Sequence, residues 1–159
     1  MRKEVQIIEI SNSPEETLRI GEEFGREFVK AGVVVTIQGE LGVGKTHFVK
    51  GIARALGIDE RDITSPTFAL ANEIELVQAG STAPPDLSDA THALYHLDCY
   101  RFERPEELLA LGVEDYLYPK NAATIIEWPE RIEALIPEGA IQVTIVIISE
   151  TERLITISA

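Results

Sequence analysis

Much that would mark a secreted, membrane-bound or nucleic-acid-binding chain is missing from this sequence. It has one cysteine, Cys99, among 159 residues, so no internal disulfide can form and a reducing compartment is expected. No apolar run approaches the ~20 residues that a membrane-spanning helix needs. The opening stretch MRKEVQIIE is charged where a signal peptide carries its apolar core. A cytoplasmic location with no membrane attachment is therefore expected. Basic residues are also scarce: 14 Lys and Arg stand against 27 Asp and Glu, a formal net charge of −13. Such a surface repels a phosphate backbone, so RNA or DNA is expected to meet this chain only through a partner. The hydrophobic share, 45%, is ordinary, and the length suits one domain, residues 1–159, around one core.

What is present centres on eight residues, GELGVGKT, from Gly39 to Thr46. Their order is Gly, four free positions, Gly-Lys, then Ser or Thr, the pattern of a phosphate-binding P-loop. Gly39, Gly42 and Gly44 let the backbone turn tightly and aim successive N–H groups inward as an anion-binding nest. Glu40, Leu41, Gly42, Val43, Gly44, Lys45, Thr46 and His47 are thus the candidate cradle for a nucleotide. Lys45 supplies a point charge for the β- and γ-phosphates, the Thr46 hydroxyl can ligate Mg²⁺, and His47 falls near the α-phosphate. The context agrees. VVVTIQ, residues 33–38, reads as a buried strand, and HFVKGIARALG after the loop carries Phe48, Ile52 and Leu56 at helical spacing before Gly57.

The rest of the chain interleaves helices and strands. Residues 5–10 read as a strand, and Ser13-Pro14-Glu15-Glu16 as a capped helix start, with Leu18, Phe24 and Phe28 inward and an end near Lys30. Strands are expected over residues 68–77 and 92–98, joined by the Pro-rich polar loop 78–90, then a short helix from Pro105 and an irregular stretch 115–120. AATIIE, residues 122–127, is a strand, residues 129–136 a helix, and residues 141–148 and 153–158 a hairpin. The expected fold class is α/β: a central mixed, mostly parallel sheet with flanking helices and a C-terminal β-hairpin.

A P-loop enzyme needs acids at neighbouring strand ends to hold Mg²⁺ and to orient the attacking group. Asp98 in HLDCYR and Glu127 in TIIEWP both end apolar strands, which makes them the catalytic and metal-ligating candidates. Thr67, in a Pro-stiffened turn, is placed to sense a γ-phosphate. Trp128 either packs in the core, as the sequence favours, or covers the nucleotide. His92 and His96 share a strand face and do not read as a metal pair, and Cys99 reads as a buried thiol. Arg101 is the arginine best placed to meet a phosphate.

In order, GELGVGKT, ITSPTF, YHLDCYR, PEELLALGVEDY and IIEWPE resemble the TsaE (YjeE) family, the P-loop ATPase of bacterial tRNA threonylcarbamoyladenosine biosynthesis. The resemblance implies a Mg²⁺-dependent ATP hydrolase, weak alone and stimulated by its partners, the threonylcarbamoyl-transferase subunit and that subunit's inactive paralogue. These partners would hold the tRNA. By the same resemblance Lys45 holds phosphates, Thr46 and Glu127 ligate Mg²⁺, Asp98 positions water or metal, Thr67 is a switch threonine and Trp128 lines the site. Departures from the family pattern are Glu40 for a usual Asp, His47 for a usual hydroxyl residue, and a longer stretch over residues 78–91.

Two other classes compete: a small-molecule kinase and a nucleotide-dependent binding module without turnover. A kinase usually brings an arginine-rich lid, whereas this chain offers Arg101 and Arg104, and its loop 78–90 has no basic residue.

Overall fold

Chain direction is set early by a compact cap. Ser13 is extended, its Oγ accepts the N–H of Glu16 at 3.1 Å, and Pro14 opens helix α1 (Pro14–Phe28). The Glu16 carboxylate closes the turn on the N–H of Asn12, at 2.7 Å, one residue earlier than the usual reciprocal cap. The computed structural model describes residues 4–64, 70–76, 91 and 93–159. Within them, strand β1 (Gln6–Ser11) precedes α1, and β2 (Val34–Gln38) leads to α2 (Lys45–Ala55). A 3₁₀ turn at Glu60–Asp62 is followed by β3 (Ala71–Glu75), β4 (Ala93–Asp98), α3 (Pro105–Ala110) and α4 (Glu114–Leu117). The chain closes with β5 (Ala122–Glu127), 3₁₀ turns over Pro129–Leu135 kinked at Ile132, and the hairpin β6 (Ile141–Ile147) and β7 (Arg153–Ser158).

All seven strands join one sheet in the order β1-β7-β6-β2-β5-β4-β3. The central β6, β2, β5 and β4 run parallel, and antiparallel pairs flank them on both sides. β2 and β5 are covered on both faces and are buried at every residue but Gln38. The β3–β4 pair is antiparallel, and β3 stops short of Leu70 and Leu76, which the sequence reading had included. Residues 65–69, 77–90 and 92, which include Thr67, His92 and the Pro-rich loop, lie outside the described residues.

Two departures from the sequence reading have clear causes. The stretch 115–120 is not wholly irregular: α4 begins at Glu114, buries Leu117 and gives the Tyr116 carbonyl to Thr124 Oγ1 at 2.5 Å. One turn this short is held by packing, which propensity does not register. The inward stripe of α1 is Thr17, Ile20, Gly21, Phe24 and Gly25, while Leu18 and Phe28 are only half-buried. Glycine is needed at this seam because the backbones of α1 and α2 touch. A Cβ on Gly21 would stand 2.3 Å from the Phe48 carbonyl oxygen, and one on Gly51 2.1 Å from that of Leu18. Phe24 and Phe48 then meet at 5.3 Å between ring centroids, and burying each such ring contributes about 1.5–3 kcal/mol. This seam fixes α2, and with it the loop that α2 follows.

Candidate active site

At the end of β2 the chain turns into the P-loop under tight steric limits. A Cβ on Gly39 would fall 2.7 Å from both the Ile145 carbonyl oxygen and Val43 Cγ1. Gly42 and Gly44 take φ of 75° and 115°, a region open to glycine at no steric cost. Gly44 is also the N-cap of α2 and offers no side-chain acceptor. The first N–H groups of α2 are therefore left for an anion. Lys45 is 6% exposed, and its Nζ donates to the carbonyls of Gly39 at 2.5 Å and Glu40 at 2.9 Å. The same ammonium lies 4.2 Å from the centroid of the Trp128 ring. Burial pushes its pKa down, and Glu127, Glu130 and Asp98 oppose that shift.

The facing wall comes from strand register. Parallel β4 and β5 pair Asp98 with Glu127, and β5 and β2 pair Glu127 with Ile37, so both acids stand level with a residue two positions before the loop. Side chains at paired positions share a face. Glu127 is buried, and its Oε2 lies 2.5 Å from Nε2 of the buried His96. Asp98 Oδ1 accepts the Tyr100 N–H at 3.0 Å. Burial raises the Asp98 pKa, the Tyr100 bond opposes this, and the neighbouring Glu127 adds to the rise.

Trp128 follows with φ 58°, the one non-glycine residue with positive φ among those described. Such a conformation costs on the order of 1–3 kcal/mol and needs support from its surroundings. The ring packs against that of Tyr100, 4.8 Å between centroids and tilted by 50°. Trp128 is half-buried, with one side against the core and the other to the cleft. Core packing, which the sequence favoured, thus holds for one side of the ring, and lining the cleft for the other.

A cleft of about 440 Å³ opens between these walls, lined by Leu41, Gly42, Gly44, Lys45, Thr46, His47, Asp98, Tyr100, Glu127 and Trp128. Of the sequence candidates, Glu40 and Val43 do not line it. Glu40 gives a carbonyl to Lys45 and faces a neighbouring cavity, whereas Val43 is buried and its carbonyl accepts Arg153 Nε at 2.9 Å. Thr67 lies outside the described residues. Two residues escaped the sequence reading as site members: Tyr100, whose place follows from the turn after β4, and His96, whose partner lies on another strand. A second cavity of about 300 Å³ adjoins the loop and brings Ser13, Thr17, His47 and Arg153 together. Cys99 is buried, and burial pushes its thiol up to about 12, far from a nucleophile's range.

A model of the family described as "Threonylcarbamoyl adenosine biosynthesis protein TsaE" matches residues 11–155. The chain belongs to the TsaE family. A Treponema pallidum protein named tRNA threonylcarbamoyladenosine biosynthesis protein TsaE is 36% identical over 149 residues, 94% of this chain and 98% of that protein. The Bacillus subtilis protein of the same name is also 36% identical, over 92% of this chain and 82% of its own. Among solved structures, Bacillus subtilis YdiB superposes with a TM-score of 0.70 at 30% identity, covering 100% of this chain and 88% of that one. Membership of the TsaE family implies nucleotide and metal binding. The donor set fits a hard cation: a hydroxyl on Thr46 and carboxylates on Glu127 and Asp98. Among the described residues no group of three or more His, Cys, Asp or Glu could hold a metal by itself. Mg²⁺ requires none, since it commonly takes one or two carboxylates together with the phosphates of its nucleotide. No helix of the described residues is long and apolar enough to cross a membrane.

Proposed function

We propose that the protein is a Mg²⁺-dependent ATP hydrolase that supports threonylcarbamoyladenosine modification of tRNA by resetting the threonylcarbamoyl-transferase complex. The observation that carries this reading is the register of Asp98 against Glu127 beside the P-loop. Two acids at one level, next to a phosphate nest, suit hydrolysis of a bound nucleoside triphosphate. The loop N–H groups and Lys45 hold the phosphates, Lys45 exchanging its carbonyl contacts for phosphate oxygens. Thr46 and Glu127, with Asp98, would hold Mg²⁺, which when bound would offset phosphate charge. Asp98, at the cleft with one oxygen on Tyr100, is suited to orient water. Trp128 and Tyr100 cover the phosphate end and exclude solvent. The adjoining cavity at Ser13 and Arg153 suits the nucleoside end. Thr67 is the switch threonine on the resemblance of ITSPTF.

TsaE-family membership implies interaction with the machinery of this tRNA modification. The transferase subunit and its inactive paralogue are the proposed partners, and they hold the tRNA, since a net charge of −13 disfavours direct contact here. The protein acts in the cytoplasm as one domain. The test is ATP turnover by the pure protein, alone and with both partners. Marked stimulation that disappears in Glu127→Ala is expected. Intact nucleotide binding without stimulation would instead favour phosphoryl transfer to a small acceptor.

A further inference from the structure

His96 sits on β4 two residues before Asp98, on the same sheet face, and is 1% exposed. Its Nε2 lies 2.5 Å from Glu127 Oε2. Its Nδ1 is the one buried side-chain nitrogen or oxygen without a hydrogen-bond partner among the described residues. The ring's polar contact is therefore at Nε2, and since a carboxylate oxygen can only accept, Nε2 is the donor.

We propose that His96 is a positioning residue: an imidazole that donates from Nε2 to one oxygen of Glu127 and reserves the other for the cleft. A free glutamate side chain samples several rotamers and presents either oxygen. Here the imidazole stands on a buried strand between β3 and β5 and cannot follow such motion. The carboxylate therefore meets an incoming cation with its rotamer chosen. Outer partners of metal ligands act in this way, and removing them commonly costs 10–100-fold in metal affinity or activity. The contact stands on geometry alone, whereas its consequence for turnover rests on the ATPase reading.

The two parts are tested separately. Long-range ¹H–¹⁵N spectra of the ¹⁵N-histidine-labelled full chain, read on the resonance that vanishes in His96→Leu or His96→Gln, should show a proton on Nε2. A ring with no proton on Nε2 would overturn the contact. His96→Leu should raise the Mg²⁺ concentration for half-maximal ATP turnover about tenfold and lower kcat by a similar factor, leaving KM for ATP within about twofold. His96→Gln, which keeps an N–H donor, should recover a good part of both losses. Equal behaviour of both variants and the parent would sink the positioning role. If the parent shows no turnover at all, the ATPase reading fails while the spectra still decide the contact.

Discussion

One wall of the cleft is a single run of chain, Gly39 to Thr46, while the other is drawn from β4 and β5 and exists because the sheet registers Asp98 against Glu127. The first wall works mainly through backbone. Its N–H groups, its two left-handed glycines and one charge, Lys45, form a trap for phosphate with little call on distant residues. The second wall works through side chains whose orientation other side chains fix: His96 on Glu127, Tyr100 N–H on Asp98, and Tyr100 against Trp128. Binding is thereby vested in a local motif and chemistry in tertiary register. Damage to either wall should then leave the function of the other measurable.

The strongest way to break that division is at Lys45. Lys45→Ala removes the buried cation that phosphate would meet, an effect of about 3 kcal/mol, or somewhat over a hundredfold in Kd for Mg²⁺-ATP. Calorimetric titration checks this, and unchanged affinity would mean that the backbone nest suffices without the charge. On the opposite wall, Glu127→Gln keeps shape and loses charge. Its turnover should fall about 10²-fold while Mg²⁺-ADP affinity stays within severalfold. A collapse of ADP affinity instead would show that the two walls are not separable.

How much of each wall could be read from sequence follows the same line. The P-loop was legible because its glycines, Lys45, the preceding strand and the following helix are contiguous. Asp98 and Glu127 were legible as acids ending apolar strands, but nothing local set them level with each other. His96 looked unremarkable because its partner is on another strand. The facing of Trp128 depends on a left-handed backbone angle that no periodicity reveals. The α1–α2 seam was missed for a further reason: apolar patterning looks for large side chains, and this interface is built on Gly21, Gly25 and Gly51. Gly51→Ala tests it. The added methyl meets backbone, so the helices must part, at a cost of about 1–3 kcal/mol. A urea midpoint lowered at constant slope is the expected result. An unchanged midpoint would mean the seam is loose and does not set the loop.

The smallest effect is expected at Asp98, where the two walls face each other most openly. Burial and the nearby Glu127 raise its pKa above the ordinary value of 3.8, so the folded chain holds this proton more tightly than the unfolded one does. The stability that this provides is fully present below the unfolded pKa and is lost as pH rises through the raised folded value. At neutral pH the ionised carboxylate is therefore a net strain on the fold, and Asp98→Asn should remove it. The side chain is only partly buried and solvent screens it, so the gain is at most about 1 kcal/mol. Thermal melts at pH 7.5 should show the variant slightly more stable than the parent, with the advantage vanishing below about pH 4. The same variant should lose turnover, because the charge that strains the fold is the one proposed to orient water. A variant less stable at pH 7.5 would show that the Tyr100 N–H holds the carboxylate more firmly than burial opposes it. Asp98 would then belong to the structural frame of the second wall, leaving its chemistry to Glu127.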